Sequence, residues 1–324
     1  MTNPQLIIMI VGFCLAAYSI VANDAIQTLG TFISSNKNKP WWMLWLFISL
    51  ILIFVLMYGW LGSGTLQDAS YHRLDSIPFP SGGLTWLYII PPIVILILTR
   101  YGIPVSTTFL ILTIFAPSNL EKMLLKSLMG YVVAFVLAIL LYRFVFSHTI
   151  RYFNRTGDQT APKYWIVLQW ISTGFLWSQW LIQDLANIFV FLPRQVSANW
   201  MIVALAVFLL TLALIFYKSG GAIQKIVTNK TGTVDIRAAT IIDFIYAIIL
   251  LVFKEWSHVP MSTTWVFLGL LAGREFAISL LMYSPPLNET AKIVRSDVTK
   301  ALAGLIISVV LALLLPILYR WVAY

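Results

Sequence analysis

Charge is what this chain has least of. Asp, Glu, Lys and Arg make up 10% of its 324 residues, against about 25% in a soluble domain. With 60% hydrophobic residues and a mean hydropathy of +0.88, that deficit excludes an ordinary soluble protein. A single cysteine, Cys14, excludes an internal disulfide and reads as packing. Only three histidines occur (His72, His148 and His258), with no CxxC or HExxH pattern, so a zinc site has little to stand on. No nucleophile–base constellation is visible, so the chain is not read as an enzyme. The net charge is +9, but the cations fall mostly between apolar runs, as orientation signals do. No basic domain exists for nucleic acid to bind. The first 30 residues lack a basic n-region and a convincing cleavage site, so they read as a retained membrane segment, not a signal peptide.

What is abundant is long apolar sequence. Ten segments can be drawn, near 5–33, 41–62, 84–100, 103–117, 126–147, 164–192, 199–217, 237–253, 259–283 and 299–323. Runs of about 20 residues span about 30 Å of hydrocarbon as helix. Residues 44–58 and 301–319 do not alternate as barrel strands would. Trp41, Trp42, Trp60, Trp86, Trp200 and Trp321 lie near segment ends, where interfacial aromatics are expected.

Two motifs interrupt this pattern, and both occur twice. Within the first run stands Val21–Thr31, with Asn23-Asp24 at a depth where a carboxylate costs a few kcal/mol. Its echo is Gln183-Asp184, and Asn187 falls three residues after Asp184 as Gln27 falls after Asp24. The second motif is Pro-x-Ser-Thr-Thr: Pro104-Val-Ser106-Thr107-Thr108 and Pro260-Met-Ser262-Thr263-Thr264. Proline suits a first helical turn and serine a cap, so both read as new half-helices. Asp24 precedes Ser106 by 82 residues and Asp184 precedes Ser262 by 78. Two motifs in one order at nearly one spacing imply an internal duplication, 1–150 and 164–324, joined by a connector at 151–163.

Charge suggests that the halves are inverted. The connection at 63–83 carries Arg73 against Asp68 and Asp75, whereas 218–237 carries Lys218, Lys225, Lys230 and Arg237 against Asp235. Opposite bias points to opposite sides of the membrane. With 218–237 cytoplasmic and five crossings per half, the connector is cytoplasmic too, and both termini are external. The expected fold is an all-α polytopic membrane protein, an inverted-topology repeat of about five segments each with broken or re-entrant half-helices. That pattern points to a secondary transporter with its site at the repeat interface.

The two motifs suit opposite tasks. Helix N-termini and hydroxyls favour a small oxyanion. Aspartates, amides and freed carbonyls are hard oxygen ligands for a small cation. Alone, each aspartate could be a cap or helix–helix hydrogen bond, and each Ser-Thr-Thr could merely pack helices. Repetition weighs against both readings. Asp243 is an intramembrane carboxylate without a counterpart, evenly balanced between a structural pair and a coupling role. Arg274 and Glu275 are adjacent on a helix and are expected to meet other partners. Arg100 and His258, just before the Ser-Thr-Thr motifs, read as interfacial cations or anion attractors.

These residues resemble the inorganic phosphate transporter (PiT) family, which carries GANDVANA-like and PVSTTH-like motifs in both halves. The resemblance spans essentially the whole chain. It implies a symporter of phosphate, or alternatively sulfate, coupled to Na+ or else H+, with no other cofactor. It would work in the lipid bilayer of a bacterial inner membrane, with a homodimer as the oligomer considered. By resemblance, Ser106, Thr107, Thr108, Ser262, Thr263, Thr264 and Gln27 would bind the anion. Asn23, Asp24, Gln183, Asp184 and Asn187 would bind the cation, with Asp24 and Asp184 as the Na+ candidates. The departures are Gln183 and Gln27 for asparagines, Phe109 and Trp265 where His is frequent, and Pro193-Arg194 where a glycine is usual. The altered second motif also admits a passive anion channel or a non-transporting sensor on the same scaffold.

Overall fold

The computed structural model describes residues 3–62, 68–103, 105–145, 147–156, 161–220, 224, 235–256, 260–282 and 286–322. Pro104, Lys225, Lys230 and His258 lie outside the described residues. The described chain is an all-α polytopic membrane protein. Among the described residues, seven helices are long and apolar enough to span a bilayer, from Pro4–Ser35 to Leu287–Leu315.

The first is a single continuous rod: α1 (Asn3–Ile20), a π-helical turn (Val21–Ala25) and α2 (Ile26–Ser35). It is not a re-entrant hairpin. α3 (Trp41–Leu61) follows. The connection 68–85 leads through a 3-10 turn into α4 (Ile90–Arg100) and then α5 (Thr107–Phe115). Pro91 and Pro92 sit at the start of α4, where a missing N–H costs nothing. Gly102 ends it at φ +67, with Ile103 N–H reaching back to Leu98 O at 2.9 Å. At 11 and 9 residues, α4 and α5 are each too short to cross a bilayer. They pack together as a hairpin.

α6 (Leu120–Leu140) and α7 (Ser147–Arg155) complete the first half. α8 (Tyr164–Asp184) stops at Leu185 and restarts as α9 (Ala186–Phe189). Gln169, Thr173, Gln179, Gln183 and Asp184 of α8 are all buried. A helix this polar within turns its polar face to the bundle, against α2 and the helix after α10. α10 (Ala198–Tyr217), α11 (Ile236–Trp256), α12 (Thr263–Met282) and α13 (Leu287–Val322) follow. The second Ser-Thr-Thr motif therefore opens a 20-residue helix, not a half-helix. α12 gains that length on α6: Gly269 and Gly273, one turn apart, lie where any side chain would overlap the Tyr131 and Phe135 carbonyl oxygens.

One expectation is corrected here and another is met in part. Trp60 is 8% exposed, its indole N–H donating to Val196 O at 2.8 Å, so it ties the end of α3 to the loop before Ala198 inside the protein. Arg274 and Glu275 pair with each other at 2.5 Å, long side chains curling together where their helical positions diverge, and Arg274 also meets the expected further partner, Tyr142.

Candidate functional site

Both half-motifs meet at one buried point. The extra residue of the π turn displaces carbonyls from the helical ladder. Side chains recover them, Gln27 Nε2 donating to Asn23 O at 3.3 Å and Thr28 Oγ1 to Asp24 O at 3.3 Å. The Asn23 side chain turns away, donating to Asp24 Oδ1 at 2.6 Å and to Val105 O at 2.9 Å. Asp24 is thereby docked on the N-terminus of α5. Ser106 caps α5, its Oγ accepting Phe109 N–H at 3.3 Å, and Ser262 caps α12 through Trp265 N–H at 3.4 Å.

The threonines then link the halves. Thr107 Oγ1 donates a short hydrogen bond to Asp24 Oδ2 and accepts from Asn187 Nδ2 at 3.1 Å. Asn187 also reaches Thr108 Oγ1 at 3.2 Å and Asp184 Oδ1 at 2.8 Å. Thr264 Oγ1 points at Asp24 Oδ1 at 3.3 Å and Val105 O at 3.2 Å. A hydrogen-bonded line thus runs Asp24–Thr107–Asn187–Asp184. Thr263 presents its carbonyl to Tyr246 OH at 2.9 Å. Gln183 stands apart, its Nε2 bonded to Leu250 O at 3.1 Å. All twelve residues singled out by sequence are buried. Three amide oxygens, Gln27 Oε1, Gln183 Oε1 and Asn187 Oδ1, are buried with no protein donor.

Asp243 lies on a separate clamp. Thr31 Oγ1 of the first polar helix and Thr173 Oγ1 of the second donate to its two oxygens at 2.6 and 2.5 Å. With both oxygens held by hydroxyls, it joins α2, α8 and α11, which favours the structural reading. Arg100 is exposed at the end of α4, lining a cavity with Thr99 and Lys218.

Two arginines were not singled out as site residues by sequence. Arg73, from the connection 68–85, is 1% exposed, and its Nε donates to Ile182 O at 2.9 Å. Burial pushes its guanidinium down to about 10, while Asp184 acts in the opposite sense. Ala69, Tyr71 and His72, just before it, all have positive φ (59, 54 and 64°), a conformation costly for side-chain residues. Arg194 grips the same connection from the loop after α9. Its Nε and Nη2 donate to Ile77 O at 3.1 and 2.9 Å, and Nη1 to Leu192 O at 2.9 Å. Burial lowers its pKa, with Asp68 opposing. Arg194 was visible in sequence only as a departure from the family motif. Arg73 had no such signal, since its partner lies 109 residues away.

Short hairpin helices, interrupted polar helices and a buried polar centre define an all-α polytopic membrane protein. The chain shares its fold with a solved structure described as "The sodium-dependent phosphate transporter", at a TM-score of 0.61, with 15% identity and 99% of each chain covered. No protein-family model matches the sequence, and no curated protein matches it.

Proposed function

We propose that this protein is a secondary active symporter that carries inorganic phosphate with sodium, as a divergent relative of the PiT family. The observation that carries this reading is the line Asp24–Thr107–Asn187–Asp184, in which each half's carboxylate motif touches the Thr-Thr tip of α5. Sites for an anion and a cation placed this close share their desolvation cost, so the two bind cooperatively. The tips of α5 and α12, with Thr107, Thr108, Thr263 and Thr264, take the oxyanion; Ser106 and Ser262 act as their caps. Asn23, Asp24, Gln183, Asp184 and Asn187 take the cation. Gln27 joins them, because its open atom is an oxygen. Buried amide oxygens without donors favour sodium over a proton, since a metal ion accepts such ligands directly.

In this reading residues 1–150 and 164–324 are inverted repeats about the connector 151–163. Reciprocal packing supports it: α6 lies on α12 as α13 lies on α5, and α1 on α4 as α8 on α11. Substrate passes by alternating access around the shared centre, with the connector on the cytoplasmic side. The test is uptake of labelled phosphate into proteoliposomes of the purified protein. An inward sodium gradient is expected to drive accumulation that a potassium gradient does not. Absence of phosphate or sulfate uptake under any imposed gradient overturns the reading.

A further inference from the structure

The connection 68–85 brings into the polar centre a cation that the transport reading has not used. Arg73 spends only Nε on the protein, at Ile182 O two residues before Asp184; Nη1 and Nη2 are buried without an acceptor. Asp184 shows the complementary deficit. Its Oδ1 accepts from Asn187 at 2.8 Å, while Oδ2 is buried outside hydrogen-bond distance of any donor, with the Thr263 side chain the other polar group facing the carboxylate. The two charges act on each other, yet no hydrogen bond joins them. Lys126 stands within reach of the Arg73 charge. It adjoins Ser127, whose hydroxyl accepts the Ser262 N–H at 2.8 Å, so the cationic pair borders the tip of α12.

These unmatched atoms specify a ligand by elimination. A guanidinium edge fits two oxygens of a tetrahedral oxyanion. A carboxylate oxygen requires a donor or a cation. Sodium alone satisfies Asp184 but leaves Arg73 Nη1 and Nη2 without an acceptor. Sulfate satisfies Arg73 but, unprotonated near neutral pH, sets a bare oxygen against Asp184. Hydrogen phosphate has both faces. We propose that Arg73 and Asp184 form a subsite for a protonated tetrahedral oxyanion, with Nη1 and Nη2 donating to two of its oxygens and its P–OH donating to Asp184 Oδ2. The subsite rests on the oxyanion-transport reading and deepens it, because it selects hydrogen phosphate over sulfate. Asp184 Oδ1 keeps a second lone pair for the coupling cation.

The test is equilibrium binding of labelled phosphate to the purified full chain in sodium, with competition by arsenate and sulfate. Arsenate, which carries the same proton, is expected to compete within about threefold of phosphate, and sulfate at least about 100-fold less well. Arg73→Lys keeps the charge but loses the fork and should raise the phosphate Kd about tenfold; Arg73→Gln should raise it further. Asp184→Asn should shrink the preference for phosphate over sulfate at least about tenfold. Sulfate competing as well as arsenate in the unaltered protein overturns the subsite, and this needs no variant to fold. Folded Arg73 variants that bind phosphate within twofold of the parent overturn it too. Parallel uptake separates the two claims. The expected binding pattern without accumulation defeats transport but not the subsite. Accumulation with sulfate as an equal competitor defeats the subsite but not transport.

Discussion

The two interrupted helices solve one problem with different resources. In the first, a five-residue π turn keeps the rod continuous, and its own neighbours Gln27 and Thr28 satisfy the displaced carbonyls. In the second, the helix stops at Leu185. Its Ile182 carbonyl turns to a distant donor, Arg73, while Arg194 in the loop after α9 ties its neighbour Leu192 O to the distant Ile77 O. The displaced carbonyls of the first break are satisfied locally. The second depends on a connection that belongs to the other half of the sequence. A motif repeated in sequence is therefore not repeated in what supports it, and the drifted motif is the one with outside help.

The sharpest way to break this comparison is to remove each half's charge. Asp24→Asn should abolish sodium-driven phosphate uptake, a loss of at least about 100-fold, with the protein still inserted. Full retained activity would remove Asp24 from the site. The next effect concerns support. Arg194→Ala strips charged donors from Ile77 and Leu192 and should cost about 2–3 kcal/mol by thermal melting, with cleavage by added protease appearing first in 68–85. Unchanged stability and protection would mean that the second half-site does not lean on that loop. Thr173→Val leaves one oxygen of buried Asp243 without its donor and should cost about 1–3 kcal/mol; Thr31→Val should match it, and a clear inequality would show that the clamp is lopsided. The smallest expected effect is Gln183→Asn, a severalfold change in phosphate preference or sodium dependence, read from competition and sodium titration. If neither moves, specificity does not reside in the drifted half.

Sequence reached the fold class because it rests on a strong signal. Apolar runs near 20 residues have few other readings. The paired Asp and Ser-Thr-Thr motifs were legible through their repetition, and the structure brings Asp24, Thr107, Asn187 and Asp184 into one line. What stayed hidden depends on geometry that leaves no mark in the sequence. One extra residue in a helical turn makes the π turn at Val21–Ala25, whereas Leu185 ends its helix, though both segments read as an amide followed by an aspartate. The unequal lengths of α5 and α12 follow from the glycine contact on α6. Trp60 resembled an interfacial residue because its position near a segment end was visible, while its acceptor, 136 residues away, was not. Arg73 counted in sequence only as the lone cation of its connection, because its acceptor Ile182 O, 109 residues away, was not visible.

The Asp243 clamp carries a consequence for how the protein opens. A carboxylate shared by hydroxyls on α2 and α8 makes three helices separable only together. Amide hydrogens at its level, around Thr31, Thr173 and Asp243, should therefore exchange with solvent as one cooperative block with a single opening free energy. The short α4–α5 hairpin, outside that block, should exchange sooner and on its own schedule. Isotope labelling followed by peptide mass analysis would resolve the two populations. It would thereby locate the hinge line of the molecule between them.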